Sequence, residues 1–109
     1  MLQVLDVSLD AVRALRPLVV VVQRHDRDLA SQLRRAASSI VLNVAEGNRS
    51  QGANARVRFF TAAGSTSETR AALKLAVAWG YTSVELATES EALLDRTAGM
   101  LHGLVHRRR

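Results

Sequence analysis

Residues 38–76 read SSIVLNVAEGNRSQGANARVRFFTAAGSTSETRAALKLA, and this stretch decides the fold. Two helical patterns meet there across a polar break from Gly47 to Gly52. Each pattern carries Ser, Asn, Gly or Glu at positions where a plain amphipathic helix would carry Leu. Small and polar residues at helical spacing let two helix surfaces come close and hold one register.

Working outward, Leu29, Leu33, Ala37, Ile40 and Val44 form one apolar stripe upstream of the break. Asp26 is placed to cap that helix, and Gly47 to end it as a left-handed C-cap. Downstream, a third helix is expected from about Ala53 to Trp79, stopping at Gly80. Its apolar residues Val57, Phe59, Phe60, Ala63, Leu73, Leu75, Ala76 and Val77 cover more than one face. Such a helix is either central or in contact with a second subunit.

The flanks supply two more helices. Ser8 reads as an N-cap with Asp10 in the first turn, followed by Val12, Leu15, Val19 and Val22 at helical spacing. Pro17 interrupts this pattern and should kink the helix near Arg13. The Val19–Val22 run is β-prone, but nothing else in the chain offers a strand partner. Thr82 to Glu85 matches a capping box with Glu85 at the third helical position. Leu86, Leu93, Leu94, Met100, Leu101 and Leu104 then form the apolar face of a last helix ending in His106 and three Arg. The reading is all-α: an antiparallel up-and-down four-helix bundle, its first helix kinked at Pro17, in a single domain spanning 1–109.

The chain has 109 residues, 48% hydrophobic but only 4% aromatic, so its core must be built from Ala, Val and Leu. Small residues bury little area each, which favours self-association as a second source of stability. The net charge is +5, with a sequence pI near 11.2. Every basic residue except Lys74 is Arg. Arg suits planar, bidentate contacts to phosphate or carboxylate. Cys is absent, which excludes thiolate chemistry and fits a reducing cytoplasm. The start, MLQVLDVSLD, has acids where a signal peptide would be basic, and the longest apolar run, Leu18–Val22, is too short for a bilayer. Membrane attachment is not expected.

Four groupings carry possible chemistry. Gln32, Ser39, Asn43, Glu46 and Gly47 lie beside the apolar face of the second helix, and Gly64, Ser65 and Glu68 cluster on the third. A hairpin would bring Asn43 near Ser65 or Glu68. Glu46 and Glu68 could then be paired carboxylates, or the set could be a buried polar network that fixes register, with Gly64 allowing close approach. The second grouping is basic: Arg24, Arg27, Arg34, Arg35, Arg49, Arg56 and Arg58, with Arg107, Arg108 and Arg109 at the end. Several cations on one surface would bind phosphate, or simply keep the protein soluble. Trp79, Tyr81, Phe59 and Phe60 all read as structural, so binding should rest on shape and charge.

The third grouping is Arg96 with His102 on the last helix, which resembles the HEPN ribonucleases. There the His would act as acid or base and the Arg would hold phosphate. The fourth is His102 with His106, whose spacing suits a metal but which lacks a third ligand. No metal or other cofactor is expected.

QLRRAASSIVLNVAEGNRS followed by FFTAAGSTSETRAALKLA is similar to the four helix bundle proteins named after intervening sequences in bacterial 23S rRNA genes. The matching positions are Gln32, Arg34, Ala36, Ser39, Ile40, Asn43, Ala45, Glu46 and Gly47. They continue with Phe60, Ala63, Gly64, Ser65, Glu68, Leu73, Leu75 and Ala76, and Gly80-Tyr81 also fits. The resemblance implies an antiparallel four-helix bundle, with ring-like pentamers in some members. A related branch comprises basic pentameric accessory proteins of diversity-generating retroelements, which bind nucleic acid and work with a reverse transcriptase. Catalytic residues are not implied, so Asn43, Gly64 and Glu68 carry over in structural roles. The Arg-rich tail and the Val-rich, Pro-interrupted first helix depart from the family pattern.

The expected function is therefore non-enzymatic. A homo-oligomer, pentameric by the resemblance, is expected to bind RNA or DNA through Arg-lined surface, as an accessory to a reverse transcriptase or an rRNA intervening-sequence element. The rivals are a purely structural, protein-interaction oligomer and a HEPN-like ribonuclease using Arg96 and His102.

Overall fold

The computed structural model describes residues 3–107. Four helices follow one another: α1 (Gln3–His25), α2 (Arg27–Asn48), α3 (Gly52–Ala78) and α4 (Val84–Val105). The principal contacts run α1 to α2, α2 to α3, α3 to α4 and α4 back to α1, the square of an up-and-down bundle. The pair α2 and α3 packs most extensively. The molecule measures 45 × 22 × 18 Å, so one end gathers the α1–α2 and α3–α4 connections and the other the α2–α3 turn and both termini.

The core is the one the apolar stripes call for. Leu15, Val22, Leu33, Ile40, Val44, Leu73, Leu94 and Leu101 are almost fully buried. The face that α3 turns inward is thin: Ala62, Ser65, Thr66, Thr69, Ala72 and Ala76 are buried beside Phe59 and Leu73. Its two threonine hydroxyls are satisfied within the helix. Thr66 Oγ1 donates to the Ala62 carbonyl at 2.8 Å and Thr69 Oγ1 to the Ser65 carbonyl at 2.7 Å. Small side chains on this face account for the extensive α2–α3 packing. Across the other seam, Arg70 donates from Nε and Nη2 to Glu91 and from Nη2 to Asp95, tying α3 to α4. The hydrogen bond to Glu91 is the main reason the guanidinium pKa is raised.

Several helix ends differ from the sequence reading. Helix α1 begins at Gln3, because Val4, Val7 and Ala11 extend the buried stripe upstream. Ser8 is thus a buried mid-helix residue, donating to the Leu5 carbonyl at 2.8 Å, and Asp10 pairs with Arg13 at 2.7 Å. Pro17 lies inside α1, which continues for two more turns as helix rather than strand. Asp26 does cap α2, accepting from the Leu29 amide at 2.9 Å.

Gly47 does not end α2 in a left-handed turn. It is a buried helical residue, and positive φ occurs among the described residues at Gly52 and Gly80. A Cβ at position 47 would lie 2.6 Å from Phe59 Cε1, so Gly47 makes room for the aromatic ring. Gly64, where close approach is expected, has nothing within 4 Å of a built Cβ. Helix α3 stops before Gly80 as expected, and Gly80 is left-handed (φ 81°). The Gly80 amide donates to Val77 and that of Tyr81 to Ala76, each at 2.9 Å, a Schellman closure. The cap of α4 is Ser83, one residue later than the Thr82 box implies, and it accepts from the Leu86 amide at 3.1 Å. Glu85 is therefore second in the helix, and Leu86 is exposed rather than buried.

Candidate nucleic-acid interface

The polar motif at the α2–α3 seam is built from both helices. Ser39 and Ser65, 26 residues apart, meet with their Oγ atoms 2.8 Å apart. Asn43 does not reach α3. Its Nδ2 donates to the Ser39 carbonyl at 2.9 Å and to Ser39 Oγ at 3.1 Å, so it orients Ser39 toward Ser65. Gln32, Arg35 and Glu68 rim a small polar cleft around this pair.

Glu46 and Glu68 are not paired. From the Ser39–Ser65 level, Glu46 lies seven residues toward one end of the bundle and Glu68 three toward the other. That separates them by about 15 Å of helix rise. Glu46 bonds instead to Arg49 at 3.2 Å, and Glu68 is exposed. The motif is a register lock with one inter-helix hydrogen bond at its centre.

The basic residues are all on the surface. Arg24, Arg27, Arg34, Arg35, Arg49, Arg56, Arg58 and Arg107 are exposed; Arg108 and Arg109 lie outside the described residues. Arg49 is held by Glu46. Arg24, Arg27, Arg34, Arg35, Arg56, Arg58 and Arg107 pair with no carboxylate among the described residues. They do not gather in one patch. Arg24 and Arg27 mark the α1–α2 end, Arg34 and Arg35 the middle of α2, and Arg49, Arg56 and Arg58 the α2–α3 turn. The span of α2, about 33 Å for 22 residues, separates the first group from the last. Arg107 extends the second end from α4, beside Gln3 and Val4 of α1. Arg27 and Arg34, seven positions apart, share one face of α2. Arg34 lines a cleft against α1 and Arg35 one against α3, and Arg49, Arg56 and Arg58 stand at the α2–α3 turn. Helix α4 is the opposite in charge: Glu85, Glu89, Glu91 and Asp95 outweigh Arg96.

The structure corrects the reading of the aromatic residues. Phe59 is buried, but Phe60 is 66% exposed and Trp79 64%. Trp79 belongs to a stack at the α1–α2 end. Its ring lies 6.4 Å from that of Tyr81, 17° from parallel, and Tyr81 lies 5.2 Å from His25 at 8°. The Tyr81 hydroxyl reaches Asp26 Oδ2 at 3.4 Å, and burial, then the Asp26 carboxylate, raise its pKa. Aromatics this sparse in composition gave no sign that three rings from two loops would align.

A second exposed feature is the outer face of α3. Val57, Phe60, Gly64 and Leu75 fall within a narrow arc of the helix, and the three large side chains are each about half exposed or more. An apolar groove of about 510 Å3 lies on the α3–α4 side, between Leu73, Val77 and Ala87, with Arg70 and Glu91 at its rim.

The remaining pairs do not form sites. Arg96 and His102 are both exposed, six positions apart on α4. That places them about 120° apart around the helix and about 9 Å along it. The rings of His102 and His106 lie with centroids 4.3 Å apart, tilted by 48°, and no third potential ligand joins them among the described residues. Among those residues, no helix is long and apolar enough to cross a membrane.

The sequence model of the family described as 23S rRNA-intervening sequence protein matches residues 2–103. The bundle is similar to the crystal structure of a protein with unknown function from the S23 ribosomal protein family of Bacteroides thetaiotaomicron. The match has a TM-score of 0.85 at 22% identity and covers 95% of this chain and 99% of that one. At that identity the likeness speaks for the fold. No curated protein matches this chain.

Proposed function

The chain belongs to the family of 23S rRNA-intervening sequence proteins, and from that premise we propose that it is a non-enzymatic, homo-oligomeric bundle that binds nucleic acid through its Arg-lined surface. The observation that carries this reading is the absence of ion-pair partners for Arg24, Arg27, Arg34, Arg35, Arg56 and Arg58 among the described residues. Contacts from exposed Arg to phosphate would be sequence-independent and would release counterions.

Self-association rests on the outer face of α3. Val57 and Phe60 are 61% and 66% exposed, and the small Gly64 between them and Leu75 lets another surface approach. A ring, of five copies as the resemblance implies, would repeat the Arg-lined surface around its circumference. A reverse transcriptase or an rRNA intervening-sequence element is the proposed setting.

Two measurements test this. Gel shift with RNA and DNA duplexes across a salt series should show binding that weakens steeply with salt. No binding at low salt overturns the nucleic-acid reading. Light scattering should show an oligomer that Phe60→Glu dissociates. A monomeric wild type at micromolar concentration overturns the assembly.

A further inference from the structure

We propose that the Trp79–Tyr81–His25 stack is a platform for an unpaired nucleobase, so that the protein prefers RNA or DNA with unpaired bases at the α1–α2 end of the bundle. This rests on the nucleic-acid reading above and adds to it a site that phosphate contacts alone do not supply.

Three observations converge. First, the rings are aligned in advance. Tyr81 is the shared member, nearly parallel to both His25 and Trp79, with centroid distances within the range of offset stacking. Tyr81 is fixed from two sides, by the Schellman closure through its amide and by its hydroxyl on Asp26. Its neighbours therefore stack on a ring whose backbone is fixed and whose hydroxyl faces Asp26, so less freedom is lost when a base arrives. Second, the stack is open. Trp79 is 64% exposed and His25 is exposed, while buried aromatic residues in this fold, such as Phe59, are enclosed by the core. A large ring left in water beside a parallel partner is the arrangement on which bases stack.

Third, the charge suits a nucleotide. Arg24 and Arg27 flank His25 and Asp26 in sequence, both exposed and without a carboxylate partner among the described residues. Of the acids nearby, Asp26 is engaged by the Leu29 amide and the Tyr81 hydroxyl, leaving Asp28 and Glu85 on the first turns of α2 and α4. A base on Trp79 or His25 would carry its phosphates toward Arg24 and Arg27. Arg27 lies at this end of α2, and Arg34, seven positions on and on the same face, stands about 10 Å further along, so a strand leaving the platform meets both. An apolar protein surface would match the tryptophan but not the flanking cations.

Trp79 is the single tryptophan of the sequence, so its emission reports on the platform directly. The probes are an oligoadenylate RNA and a long RNA duplex of matched phosphate count. Oligoadenylate should quench Trp79 emission to saturation, and the duplex should bind with little quenching. Trp79→Ala should weaken oligoadenylate binding about five- to a hundredfold, read by anisotropy of a labelled strand, and leave duplex affinity unchanged. Trp79→Phe should recover most of the loss. Because Trp79 is exposed, circular dichroism should show both variants folded. If both RNAs bind but emission and Trp79→Ala affinity are unchanged, the platform is refuted while the charge-based reading stands. If neither RNA binds, both fall. Emission that responds to protein concentration and not to RNA would assign the stack to contact between copies, and that also overturns the proposal.

Discussion

Phe59 occupies the space that a side chain at Gly47 would need: a Cβ there would stand 2.6 Å from Cε1 and 2.9 Å from Cδ1 and Cζ of the ring. The turn between α2 and α3 is therefore closed by an aromatic ring seated on bare helix backbone. Phe59 is the one buried aromatic ring of the hydrophobic core, and Gly47 is what admits it.

Gly47→Ala should destabilise the protein by about 1–3 kcal/mol, the usual range for overpacking a filled site. At this size that corresponds to several degrees in Tm. Phe59→Leu should recover part of the loss in the double variant, since a smaller side chain frees the volume. Gly64→Ala is the contrast. Its Cβ would meet nothing within 4 Å, so helix propensity decides the sign and the isolated subunit gains about 0.5–1 kcal/mol. Thermal or urea unfolding checks both; equal effects at the two glycines would refute the assignment.

The Ser39–Ser65 hydrogen bond should show as a coupling. Ser39→Ala and Ser65→Ala each remove one hydroxyl of the crossing bond; Ser65 is then left without its partner, whereas Ser39 keeps the donor Asn43. A double-mutant cycle by urea unfolding should return about 0.5–1.5 kcal/mol. Asn43→Ala should weaken the same coupling, because Asn43 orients Ser39. A cycle that closes to zero would make the motif a matter of size alone.

Tyr81 is the single tyrosine, so phenolate absorbance reads it without overlap. Burial, then Asp26, raise its pKa above the usual 10.0. The folded protein thus holds the proton more tightly than the unfolded chain. The resulting stabilisation is complete below pH 10 and is lost as pH rises through the higher folded value. Asp26→Asn should lower the titration midpoint while keeping α2 capped, since Asn caps as well as Asp. An unchanged midpoint in Asp26→Asn would leave burial as the whole cause.

The fold was legible because its apolar stripes are regular: Leu29, Leu33, Ala37, Ile40 and Val44 are all buried as their spacing demands. Errors came where one residue type serves two purposes. Ser8 looks like a cap, but a serine hydroxyl can also bond back within its own helix, and that happens here. Gly47, and not Gly64, is the glycine that admits a close neighbour, because sequence shows that a glycine is present, not whether a ring or a turn requires it. The register lock was legible as a set of residues, although Ser39 and not Asn43 makes the crossing bond. The aromatic stack was not, because it joins residues 55 or so positions apart through loop geometry that no periodicity records.

The exposed arginines of α2 make a prediction that separates them from the stack. Each Arg that neutralises a phosphate contributes about 0.9 to the slope of log affinity against log salt for duplex DNA. Arg34→Ala with Arg35→Ala should therefore lower the slope by about 2, to the same extent for unrelated sequences. Arg96→Ala removes one charge from the acidic helix α4, as either single variant does from α2, and should leave the slope unchanged. Trp79→Ala should also leave it unchanged, because stacking releases no counterions, even where it lowers affinity for unpaired strands. A slope that falls equally for Arg34, Arg35 and Arg96 variants would mean that net charge alone drives binding, and the α2 arginines would lose their special role.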